Sequence, residues 1–195
     1  KSPWKTRPIV SCINSHLNVF STWLDYHFKE LIIYSPTYIK DSFQVLRELK
    51  ELNLSSHARL FTCDAVSMYT NIDTDHAIGV ISAWLDSLLH RLPPDFPLDA
   101  VKEAMELIMK NNIFEWGDHY FLQLLGIAMG TSATCMRAAI YFAVHEIGTL
   151  IPKYNKNLLL FSRFIDNMIG IWVPQGPQTF QQFQEDTNNF GILTW

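Results

Sequence analysis

Two β-rich runs, Leu158 to Phe164 and Met168 to Val173, are separated only by Ile165, Asp166 and Asn167. So short a link makes the runs an antiparallel hairpin, because a parallel crossover needs about a dozen residues or more. The rest of the chain must then cover that hairpin's edges and one of its faces. Leu60 to Val66 (LFTCDAV) is too short for a helix between loop residues and is expected to be a mostly buried strand with a lone Asp64 in its middle. Ile113 to Trp116 and His119 to Leu124 flank Gly117-Asp118, which suggests a second hairpin. Trp4 to Cys12 is expected to form a short strand near a polar surface, and Gly191 to Trp195 another.

Between these runs the apolar spacing turns helical. Leu17, Phe20, Leu24, Phe28 and Leu31 predict one amphipathic helix, ended before Pro36. A second is expected from an N-cap at Asp41 or Ser42 to about Leu52, with Phe43, Leu46 and Leu49 on one side. Asp75 to His90 is a third, broken by the three prolines of His90 to Pro97. Asp99 is expected to cap a fourth, with Val101, Met105, Ile108 and Met109 buried. The small-residue stretch Thr131 to Ala139 begins a fifth that reaches about Leu150, before Pro152, and Thr179 to Asn188 is a polar helix. There is no internal repeat. The mixed order implies an α+β layer structure with helices packed on one face of an antiparallel sheet.

The 195 residues are 48% hydrophobic, enough to bury a core and to exclude global disorder. Fifteen Lys and Arg against 19 Asp and Glu give a formal charge of -4, which excludes a histone-like or simple electrostatic nucleic-acid binder. No apolar run approaches the roughly 18 residues of a membrane span, so no membrane partner is expected. The chain starts at Lys1 without a secretory leader and reads as an intracellular piece of something longer. Cys12, Cys63 and Cys135 have no metal-knuckle spacing and read as reduced, mostly buried thiols.

Two carboxylates stand out, Asp64 inside an apolar β-run and Asp166 at the bend of an apolar hairpin. A buried aspartate is costly unless it is paired or binds a cation. If both faced one point, two anions about 4 Å apart would repel by roughly 4 kcal/mol at an effective dielectric of about 20. A divalent cation removes that penalty, and hard oxygen ligands favour Mg²⁺ over zinc. The plainer reading is that Asp64 bonds a local backbone amide and Asp166 is an ordinary turn residue.

WKTRPIVS (4 to 11), YIKDS (38 to 42), LFTCDAVSMYTNI (60 to 72), FEWGDHYFLQLLGIAMGT (114 to 131) and LLLFSRFIDNMIGIW (158 to 172), in this order, resemble the reverse transcriptase domain of Penelope-like retroelements, a telomerase-related RNA-directed DNA polymerase. The resemblance implies a right-hand polymerase fold. Residues 1–58 would be partial fingers and connecting helices, and 59–195 the palm, with the chain stopping before the thumb. It also implies two Mg²⁺ ions, an RNA template, a DNA primer, deoxynucleoside triphosphates and a nuclear location. By position, Asp64 and Asp166 match metal-binding catalytic aspartates, and the carbonyl of Ala65 matches a further metal contact. Tyr69 falls where this class excludes a ribose 2′-OH, and Arg7 where the fingers place an arginine over the incoming nucleotide. Gly126, Met129, Gly130 and Thr131 match the loop that supports template base and nucleotide. The chain also departs from the pattern. Asn167 stands in place of a second catalytic aspartate, and Cys135, Arg137 and Ala139 occupy a segment that usually presents a Pro and an Asn or Thr. A catalytically inactive domain that binds nucleic acid or a protein partner is the alternative.

Overall fold

The computed structural model describes Ile9, Ser11, Cys12 and residues 15–195. The expected N-terminal strand and Arg7 lie essentially outside the described residues. Helix α1 (His16–Leu31) starts where the Ser15 hydroxyl accepts from the Leu17 amide, and it turns Leu24, Phe28 and Leu31 inward. A short 3-10 turn, Ile32–Tyr34, carries the chain toward Pro36. Helix α2 (Ser42–Glu51) is capped by Asp41, whose carboxylate accepts from the Gln44 amide. Its buried side is not the side of Phe43 and Leu46. Val45 is buried, whereas Phe43 and Leu46 are exposed, because α2 lies at the margin of a sheet and no other helix among the described residues wraps it.

Strand β1 (Arg59–Asp64) leads through a 3-10 turn, Met68–Thr70, into α3 (Thr74–Ser87), capped by Asp73. Helix α4 (Leu98–Lys110) buries Val101, Met105, Ile108 and Met109 as their spacing predicts. Pro97, not Asp99, occupies its cap position. Strands β2 (Ile113–Trp116) and β3 (His119–Leu122) form a separate two-stranded sheet, turning at Gly117 with φ +60°. Helix α5 (Thr134–His145) is buried on every side from Met136 to Ala143, so it forms the centre of the molecule. The helix does not stop before Pro152. It widens into a π turn, Glu146–Leu150, and continues as α6 (Ile151–Tyr154), so that Pro152 closely follows the widened turn.

The hairpin of β4 (Leu158–Phe164) and β5 (Asn167–Trp172) pairs with β1 in one antiparallel sheet, in the order β1-β5-β4. Asn167 belongs to the strand, leaving a two-residue turn of Ile165 and Asp166. One sheet face, carrying Phe61, Phe161 and Trp172, packs on α7 (Phe180–Thr187) through Phe180 and Phe183. Gly170 sits mid-strand between the Phe61 ring and the Leu160 carbonyl, where a Cβ would collide with both. Helices therefore cover one face, as expected, but α2 also borders the other through Glu48 and Ser162. The expected strand at 191–195 is absent. Only an isolated Phe190–Leu193 bridge forms there, and the Thr194 carbonyl accepts from the Val66 amide. No helix among the described residues is long and apolar enough to cross a membrane.

Candidate active site

Asp64 is the last residue of β1, and its Cα partner in the central strand is Asn167, the first residue of β5. Directly opposed residues of an antiparallel pair have Cα atoms about 4.5–5.5 Å apart and send their side chains to the same face. That face points away from α7, and Asp64, Asn167, Thr62, Phe164 and Ile169 line a groove of about 440 Å³ on it. The ladder runs one step further, the Ala65 amide donating to the Asp166 carbonyl at 2.9 Å. Strand pairing alone thus brings Asp64 and Ala65 against Asp166 and Asn167.

Asp64 is not the buried carboxylate that the apolar run predicts. The residue ends the strand and is exposed, because β1 is an edge strand whose last residue opens onto the groove. No desolvation penalty compels a partner, so what marks Asp64 is its position. Asp166 lies in the hairpin turn, half-buried, and its Oδ1 accepts from Asn167 Nδ2 at 2.9 Å. Among the described residues no group of three or more His, Cys, Asp or Glu side chains could hold a metal. The local oxygen donors are two carboxylates, an amide and backbone carbonyls.

Both chain segments beside this point adopt left-handed backbone at a non-glycine residue, Ser67 at φ 47° and Ile165 at φ 53°. For a β-branched isoleucine this is a true outlier, worth on the order of 1–3 kcal/mol. After Asp64 the chain turns sharply at Ser67, whose carbonyl accepts from the Thr70 and Asn71 amides. That turn presents Tyr69, half-buried, with its hydroxyl 3.5 Å from Cys135 Sγ. Burial, the Cys135 contact and the nearby Asp166 charge all push the Tyr69 phenol above its ordinary pKa, so it stays neutral. Cys135 is exposed, contrary to the expectation of mostly buried thiols, and Cys12 and Cys63 are half-buried.

The glycine-containing loop is tied to the same turn. The Ile127 amide donates to the Tyr69 carbonyl at 2.6 Å and the Gly126 amide to the Ile72 carbonyl at 3.0 Å. Gly126 has φ +86°, and a Cβ there would sit 2.6 Å from the Tyr69 carbonyl oxygen, so only glycine permits this approach. Gly130 has φ +114°. Thr131 accepts from Arg137 Nη2 at 2.8 Å, and burial lowers the pKa of that guanidinium to about 10. Met129 lines a different groove, of about 320 Å³, together with Phe114, Phe121 and Leu125. The structure thus gathers Asp64, Ala65, Asp166, Asn167 and Tyr69, and joins the loop of Met129, Gly130 and Thr131 to them through Tyr69. Glu146 and Arg163 were missed by sequence reasoning, although Arg163 carried the same signal as Asp64, a charge inside an apolar β-run.

No family model matches the sequence, and no curated protein matches it. Solved structures do match. Apo telomerase from Candida tropicalis, truncated from its C-terminal domain, superposes with a TM-score of 0.62 at 11% identity over 93% of this chain and 39% of that one. The chain has a reverse transcriptase-like, palm-type fold. The Candida tropicalis telomerase in complex with the TWJ fragment of telomeric RNA gives 0.61 at 11% identity, over 92% of this chain and 32% of that one. The Candida albicans telomerase in complex with the same fragment gives 0.56 at 11%, over 89% and 32%. This chain therefore spans between about a third and two fifths of the telomerase chains it superposes on.

Proposed function

We propose that this chain is the fingers-and-palm part of a Penelope-like reverse transcriptase, an RNA-directed DNA polymerase that adds deoxynucleotides to a DNA 3′ end. The observation that carries the reading is the register of Asp64 against Asn167, with Asp166 in the adjoining turn, at the open end of an antiparallel sheet within a telomerase-like fold. In this reading residues 1–58 contribute partial fingers and 59–195 the palm. The carboxylates of Asp64 and Asp166 and the carbonyl of Ala65 would hold Mg²⁺, whose oxygen-only donor set they suit, and Asn167 leaves the site one negative charge short. Bound there, Mg²⁺ lowers the pKa of an attacking hydroxyl and offsets charge on a leaving phosphate oxygen. Tyr69 would exclude a 2′-OH by overlap. Gly130, Met129 and Thr131 would support the template base and nucleotide, and Arg7 would lie over the incoming nucleotide. The partners are an RNA template, a DNA primer and deoxynucleoside triphosphates, in the nucleus.

A second reading is favoured by one bond, that from Asn167 Nδ2 to Asp166 Oδ1. It occupies a carboxylate lone pair that a metal would need, which suits a domain that binds primer and template without catalysis. Extension of a DNA primer on an RNA template by the full-length parent separates the two. Mg²⁺-dependent extension that Asp64→Asn abolishes supports the polymerase. Tight primer-template binding with no extension, in parent and variant alike, supports the binding domain.

A further inference from the structure

The turn that carries Asp166 is held from behind by a buried ion pair. Arg163 and Glu146 are both completely buried and meet in a fork, with Nε to Oε1 at 2.7 Å and Nη2 to Oε2 at 2.9 Å. The guanidinium also donates from Nη2 to the Ala139 carbonyl at 2.8 Å and from Nη1 to the Ile165 carbonyl at 2.7 Å. Glu146 Oε2 accepts from the Thr37 hydroxyl at 2.5 Å, and the Arg163 amide donates to the Thr37 carbonyl at 2.7 Å. Glu146 opens the π turn, the local widening that ends α5. A bidentate pair is therefore tied to α5, to the segment before α2, and to Ile165, the residue of the hairpin turn whose backbone is strained.

We infer that Glu146 and Arg163 are positioning residues for the Asp166 turn: the guanidinium holds the Ile165 carbonyl, and with it the backbone from which Asp166 projects, in a conformation that isoleucine resists. A strained residue persists only where its surroundings over-determine it, and among the described side chains Arg163 is the one that bonds the Ile165 carbonyl. A fold that needed only a filled core could use apolar residues here, because burying two charges gains little stability over a hydrophobic isostere. What the apolar pair cannot do is donate to Ile165. The inference rests on the polymerase reading for its link to a cation, but not for the turn itself.

The test uses the whole 195-residue chain, with Glu146→Leu/Arg163→Met as an apolar replacement and Arg163→Lys as a second variant, since one ammonium cannot span the fork and the carbonyl. Denaturant unfolding, amide hydrogen exchange and Mn²⁺ titration are measured on each. Loss of a charge-assisted bond should speed exchange at residues 165–167 by about tenfold or more, while the centres of β1 and β5 stay protected, and should weaken Mn²⁺ binding by a similar factor. A folded variant whose residues 165–167 exchange as in the parent overturns the inference. Failure of both variants to fold also overturns it, because the pair would then be holding the fold and not the turn. A parent that binds no Mn²⁺ defeats the polymerase reading, and exchange alone then decides the brace.

Discussion

Asp64 and Asp166 were legible in the sequence because each interrupts an apolar β-run, but Asp64 lacks the burial that its run predicts. It is exposed, and strand register singles it out where burial does not. Register is a property of two strands more than about 100 residues apart, which no local pattern can reveal. The neutral amide of Asn167 can be tested without nucleic acid. Asn167→Asp adds an anion opposite Asp64, so Mn²⁺ should bind roughly tenfold more tightly or better, and Asp64→Asn should reverse the gain in a calorimetric titration. Equal affinity in all three proteins would show that the cation goes elsewhere. Burial and the Cys135 contact, with the Asp166 charge after them, hold the Tyr69 phenol above its ordinary pKa. Tyr69→Ala in the full-length parent should raise ribonucleotide incorporation at least about tenfold, the scale of a lost steric exclusion. Unchanged sugar discrimination would leave Tyr69 as a residue that packs on Cys135.

The helices and hairpins were largely readable, since apolar spacing in α1, α3 and α4 and the short link between β4 and β5 are local signals. Where expectation failed, distant structure decided. Among the described residues, Phe43 and Leu46 have helical spacing but no element over them, Pro152 closely follows a π turn, and Gly191 to Trp195 finds no strand to pair along its length. Gly126 is the element-scale test of how the loop is seated. Gly126→Ala meets the Tyr69 carbonyl and an unfavourable φ together, so it should cost about 2 kcal/mol or more in chemical denaturation. A cost within about 0.5 kcal/mol would mean that the loop does not approach Tyr69 in solution. Helix α7 carries a capping box, with Thr179 Oγ1 accepting from the Gln182 amide and Gln182 Oε1 from the Thr179 amide. Thr179→Ala should therefore cost about 1 kcal/mol in the same assay.

Across the whole molecule, α5 is joined to α7 by His145, whose Nε2 donates to the Asp186 carbonyl at 2.7 Å. Burial depresses the His145 pKa, outweighing that bond and the nearby carboxylates. Below the ordinary histidine pKa of about 6.5 the unfolded chain takes up a proton that the folded chain refuses, so stability falls as pH drops from about 7 toward the lower folded value. Denaturation midpoints at pH 7.5 and 5.5 should differ accordingly, and His145→Gln should narrow the gap. The fold as a whole is shared with telomerases at 11% identity, a level at which shape is retained and residue roles must be tested singly. The most direct test is primer extension on an RNA template by the full-length parent carrying Asn167→Asp. The account predicts more Mg²⁺-dependent extension than in the parent, abolished when Asp64→Asn is added. A folded Asn167→Asp parent that binds primer-template and extends nothing would contradict it.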